Sequence, residues 1–189
     1  MRFPMFERLN LPCSLNEVVP GRLHPDGRRY LPLIVLRLTL SVIPHIAHEM
    51  VTPAILLLGV VDRHHVVDQR QAGVTGAARL VCALSALRLQ EPPYRAGFIP
   101  EAGWVAGRAS TMPTVCGQVA QVITWEADHE QLAYEVLYTE LLIDTGLGIV
   151  GLRTSATAIS LEAQIGKGRL EQGDWVELQR SRIDILGFG

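Results

Sequence analysis

Val, Ile, Leu and Thr gather along this chain in runs of 6–12 residues, separated by Gly, Pro and Asp. Branched and apolar clusters with breakers between them are the mark of strands joined by turns. The pattern predicts strands at Glu17–Leu23, Arg29–Val42, Ala54–Val61, Ala78–Leu89, Thr114–Trp125, Tyr134–Asp144, Ile149–Thr154 and Trp175–Leu186. In the last of these, Trp175, Glu177, Gln179 and Ser181 alternate with Val176, Leu178 and Arg180, the period-two pattern of a half-buried strand. Helical spacing is confined to Pro44–Met50 and Ala158–Ile165, about two turns each.

Long strands with one short helix per half point to barrels rather than to α/β layers. Gln90–Pro113 holds Pro92, Pro93, Gly97, Pro100, Gly103, Gly107 and Pro113, too many breakers for a regular element. Charge changes sign there as well. Residues 1–95 carry 11 Lys+Arg and 7 Asp+Glu, or +4, and residues 96–189 carry 6 and 12, or −6. Each half runs from a strand through a longer strand and a short helix to a closing strand introduced by Gly, at Gly76 and at Gly173. The expected fold is all-β, two small OB-type β-barrels in tandem with one short helix each. The expected organisation is a basic barrel over 1–95, a linker over 96–113 and an acidic barrel over 114–189.

Composition narrows the class. With 189 residues and 48% hydrophobic content, a core is easily supplied and wholesale disorder is not expected. Cys13, Cys82 and Cys116 are odd in number and far apart, which fits free thiols in a reducing, cytoplasmic setting. No apolar signal segment follows Met1, and the apolar runs Leu31–Ile43 and Met50–Val61 are interrupted by Arg37 and Pro53. Both fall short of the roughly 20 residues that span a bilayer, so no membrane association is expected. Arginine outnumbers lysine 16 to 1, which a coding bias explains better than a binding role.

The densest chemistry lies where Val18–Leu23 passes through Pro25-Asp26-Gly27 into Arg28-Arg29-Tyr30 and the apolar run beyond. Pro and Gly suit a chain reversal, and Arg22, His24, Arg28 and Arg29 crowd the turn. Guanidinium forks match phosphate oxygens. Charge on an edge hairpin that discourages edge pairing is the alternative explanation. Arg37 interrupts the following apolar strand, as a binding face or a satisfied interface charge would. Asn16-x-Val18-x-x-Gly21-Arg22-Leu23, then Pro25-Asp26-Gly27, then Tyr30–Leu40 resembles the opening of bacterial single-stranded DNA-binding proteins and their relative, primosomal replication protein B. Gly76-x-x-Arg79-Leu80-Val81 is similar to that family's penultimate strand. The resemblance covers residues 14–90 and implies an OB-fold barrel that binds single strands.

The expected function is therefore a non-enzymatic, single-stranded nucleic-acid-binding accessory factor of the DNA replication or repair type, with DNA preferred to RNA. Arg22, His24, Arg28, Arg29, Tyr30 and Arg37 are the expected contacts, Tyr30 by stacking. The acidic barrel would hold a protein partner or a second copy of the chain. The alternative is an assembly protein in which both barrels are protein–protein modules. Trp125, Tyr134, Tyr138 and Trp175 lie among acidic residues and suit core packing or a protein face. His45-x-x-His48-Glu49 and His64-His65, with Asp62 and Asp68 nearby, lack a fixed third ligand, so neither zinc nor any other cofactor is expected. Gly146-Leu147-Gly148 has no helix after it to hold a pyrophosphate and reads as a turn. No nucleophile elbow or P-loop occurs.

Overall fold

A computed structural model describes residues 6–40, 54–83, 86–126, 137–154, 158–179 and 181–189. Along the chain run β1 (Leu11–Val19), β2 (Leu33–Leu40), β3 (Ala54–Val61), β4 (Thr75–Ala83), β5 (Ala86–Leu89), β6 (Gly97–Ile99), β7 (Ala109–Ser110), β8 (Thr114–Glu126), β9 (Leu137–Asp144), β10 (Ile149–Thr154), the helix α1 (Ala158–Ile165), β11 (Trp175–Gln179) and β12 (Arg182–Phe188). The fold is mostly β, as the runs of branched residues predict. The expected helix at Pro44–Met50 lies outside the described residues. α1 has the predicted bounds, and a 3-10 turn at Gln69–Gln71 occupies the β3–β4 connection.

β1 begins six residues earlier than expected. Leu9, Leu11, Cys13 and Leu15 are all buried, so the inward alternation is already running before Asn16. β1 pairs β2, β2 pairs β3, and β4 returns to pair β1, all antiparallel. The remaining gap, between β3 and β4, is filled by β12. It lies antiparallel to β4 from Arg182↔Ala83 to Phe188↔Ala78 and parallel to β3 at Asp184↔Val61. Five strands thus close a barrel in the order β1-β2-β3-β12-β4. Leu15, Ile34, Leu36, Leu58, Leu80 and Ile185 fill its interior, each with no exposed surface.

The strands outside that barrel continue the same sheet. β8, β9 and β10 form an antiparallel meander, β11 returns to pair β8, and β5 pairs the free side of β11. β10 joins the barrel by lying parallel to β4 at Gly151↔Val81 and Leu152↔Cys82. The predicted turn at Gly146-Leu147-Gly148 connects β9 to β10, closed by Thr145 N–H donating to Gly148 O over 3.0 Å.

Strand pairing crosses the expected boundary. β12 belongs to the second half by sequence and completes the barrel of the first. Residues 96–113, expected as a linker, carry β6 on β8 and β7 on β3 (Leu57↔Ala109, Leu58↔Ser110). β5 with β11 and β4 with β12 form two antiparallel ribbons that share one register, Val176↔Leu89 to Gln179↔Ala86 in the first and Arg182↔Ala83 to Ile185↔Leu80 in the second. The buried positions differ in parity between β11 and β12. Val176 and Leu178 are buried, and then Ser181, Ile183 and Ile185 are.

Candidate nucleic-acid interface

The β1–β2 connection is a projecting hairpin. Its tip is a three-residue loop, Pro25-Asp26-Gly27, in which Gly27 takes φ 82° and donates its N–H to His24 O over 2.9 Å. Glycine at the left-handed position is what a three-residue hairpin loop needs. Below the tip, His24 N–H donates to Arg28 O (2.7 Å) and Tyr30 N–H to Arg22 O (2.9 Å). Gly21 sits so close to the returning strand that a Cβ there would lie 1.8 Å from Tyr30 O. No other residue fits at position 21 without moving the backbone.

The pairing Leu23↔Arg29 fixes which side chains share a face. Arg22, His24, Arg28 and Tyr30 fall on one side, and the edge-to-face contact of His24 with Tyr30, centroids 5.4 Å apart, agrees. Arg29 falls on the other side with Leu23. His24 is committed to the turn, its Nδ1 2.9 Å from Asp26 Oδ1. Asp26 also accepts the Arg28 N–H over 2.9 Å, and its carboxylate lies 4.0 Å from the Arg28 guanidinium, whose side chain is 88% exposed. Among the described residues, Arg22 and Arg29 pair with no carboxylate. Leu23 (67%), Tyr30 (59%) and Leu31 (42%) add exposed apolar surface to the same hairpin.

Arg37 is on β2, apart from the hairpin. It is exposed between buried Leu36 and Leu38, opposite Ser14 of β1 and Leu57 of β3. It stands four residues beyond Leu33, roughly 13 Å along the strand. The same outer face is covered next to it by the segment that follows β7. A Cβ on Gly59 would meet Thr111 Cγ2 at 2.9 Å, and Val35, opposite Gly59, is buried. Glu101 anchors that segment, accepting from the Ser110 hydroxyl and from Thr111 N–H (3.2 Å). Burial pushes the Glu101 carboxyl up, but Ser110 and backbone N–H groups including those of Thr111 and Met112 outweigh it and hold the group below 4.5.

The remaining candidates do not converge. His64 and His65 are exposed, while the Asp62 carboxylate accepts Val66 N–H (2.9 Å) and Val67 N–H (3.0 Å). Asp68 caps Gln69–Gln71, and its hydrogen bonds from the Arg70 side chain and backbone lower its carboxyl to about 2. Among the described residues, no three His, Cys, Asp or Glu side chains are grouped to hold a metal ion. His45, His48, Glu49 and Tyr134 lie outside the described residues, as do the side chains of Trp125 and Tyr138. Burial raises the thiols of Cys13 and Cys116 to about 11 and that of Cys82 to about 12. No helix among the described residues is long and apolar enough to cross a membrane.

Sequence reasoning missed one aromatic contact. Tyr94 stacks on Trp175 with ring centroids 5.2 Å apart and planes 4° from parallel. These residues are 81 positions apart, and Tyr94 sits in the breaker-rich segment, so no local pattern links them. Compared with protein-family models, characterised proteins and solved structures, the chain matches none.

Proposed function

We propose that this protein binds single-stranded nucleic acid, DNA in preference to RNA, through the β1–β2 hairpin of an OB-type barrel. The observation that carries the reading is a projecting hairpin whose Arg22 and Arg29 have no carboxylate partner among the described residues and whose Arg28 is almost fully exposed. Such guanidinium groups are free to replace the counterions of a phosphate chain. Tyr30 offers a stacking face beside Arg22 and Arg28, and Arg37 extends the cationic path along β2. The OB-type assignment is supported by the strand order β1-β2-β3-β12-β4 and the parallel β3–β12 pair. Binding of this kind is non-enzymatic and needs no cofactor, and the free buried thiols suit a reducing, cytoplasmic compartment.

The second unit is a further barrel on the same plan, and the two exchange their fifth strands. Support comes from its meander β8–β9–β10, followed by α1 and by β11 returning to β8. β10 lies parallel to β4, and β5, the next strand in sequence, lies beside β11. The acidic unit is then the surface for a protein partner or for self-association. A purely protein-binding role for both units draws support from exposed Leu23, Tyr30 and Leu31.

Anisotropy titration of labelled oligo(dT) and oligo(U) at several salt concentrations tests the reading. Arg22→Ala, Arg28→Ala and Arg29→Ala together are expected to reduce the slope of log K against log salt by about 0.7 for each phosphate no longer neutralised, near two units in all. Stability should change by only about 0.5 kcal/mol per exposed site. If the wild-type chain shows no salt-sensitive binding to either oligomer at low ionic strength, the protein-binding role replaces this one.

A further inference from the structure

A second meeting of aromatic and guanidinium groups lies at the β11–β5 end of the sheet. Gln90 builds it. Its Nε2 donates to Arg95 O (2.9 Å) and Val176 O (2.7 Å), and its Oε1 accepts the Arg95 N–H (2.8 Å). These three bonds fold Glu91–Tyr94 back over the start of β11 and hold Tyr94 flat on Trp175. Tyr94 remains 46% exposed with one ring face covered by the indole, so the open surface is a planar shelf. Beside it runs an open groove of about 530 Å³ lined by Arg88, Gln90, Glu91, Pro93, Arg95 and Glu177.

Charge in the groove is unevenly committed. Arg95 Nη2 lies 2.9 Å from Glu177 Oε2, and the same carboxylate accepts from the Gln179 amide. Glu177 is thereby engaged from two sides and is little exposed. Arg88 sits opposite Glu177 in the β11–β5 register, is exposed, and pairs with no carboxylate among the described residues. Glu91 is the one acidic group exposed at the rim. A rigid aromatic shelf next to an unpaired guanidinium suits a planar ring carrying a phosphate.

We infer that the Tyr94–Trp175 shelf and Arg88 form a nucleotide subsite, in which one base of a bound single strand stacks on Tyr94 and its phosphate meets Arg88. This rests on the single-strand reading above. It adds a contact beyond the five-strand barrel, with Arg88 and Tyr94 from the basic half set against Trp175 from the acidic one. It also supplies the base stacking that the hairpin, with Tyr30 alone, provides only once.

The test uses the full-length protein and oligo(dT) of increasing length, read by anisotropy. Stacking of one base corresponds to roughly 5- to 150-fold in affinity. Tyr94→Ala should lose that factor on long oligomers, while Tyr94→Phe retains it. Arg88→Ala, at an exposed site, should make the salt slope shallower by about 0.7. If Tyr94→Ala and Arg88→Ala both bind long oligo(dT) as the wild type does, while the hairpin variant loses binding, the subsite is wrong and the hairpin reading stands. Absence of any binding by the wild type overturns both.

Discussion

At the scale of single residues, the hairpin depends on Gly21 more than on any charged group. A methyl at position 21 would collide with the Tyr30 carbonyl, so Gly21→Ala should break the Arg22–Tyr30 pairing. The expected result is loss of hydrogen-exchange protection at Tyr30 N–H, weaker oligonucleotide binding, and little change in protection of β2. The Pro-Asp-Gly turn is legible in the sequence because its chemistry is local. The grouping of Arg22 and Arg28 away from Arg29 is not, because it depends on the cross-strand register. The thiols offer a second check. With burial holding Cys13, Cys82 and Cys116 at about 11 to 12, alkylation of the native protein near neutral pH should be negligible, because the thiolate is the reactive form. All three should label once the chain is denatured; native labelling of any one would contradict its burial.

At the scale of elements, alternation predicts most strands, and Ala54–Val61 and Ile149–Thr154 to the residue. Partners are not legible, since period two identifies an inward face without naming the edge beside it. β12 is the clearest case, a strand recognisable as a strand whose neighbours β3 and β4 lie some hundred positions away in sequence. Ile185→Ala, at a site with no exposed surface, should therefore cost about 2–5 kcal/mol and loosen β3 and β4, as amide exchange would reveal. The breaker-rich segment reads as a linker because neither β6 nor β7 is long enough to show a period. Its anchor is acid-sensitive. The folded Glu101 carboxyl titrates below the usual 4.5, so its contribution is present above that value and is lost as pH falls through the lower, folded one. Glu101→Gln should cost about 1–2 kcal/mol near neutral pH and should flatten the fall of Tm below pH 4.5; an unchanged acid profile would remove the anchor.

At the scale of the whole molecule, strand pairing ties both halves together: β12 completes the barrel of the first half, and β5 of the first half pairs β11 of the second. Separately produced 1–95 and 96–189 should therefore be poorly folded alone and should recombine on mixing into a species with the elution volume of the intact chain. Two stably folded, non-associating fragments would count against the exchange. The β4–β12 pairing has a consequence in time. Between Ala83 and Arg182 lie 98 residues (182 − 83 − 1), which at about 5–20 residues per second take roughly 5–20 s to synthesise. For that interval β3 and β4 wait on the ribosome with unsatisfied edges, open to pairing with any neighbouring chain. Codon usage across that stretch, or a chaperone that covers those edges, would set the yield of native protein.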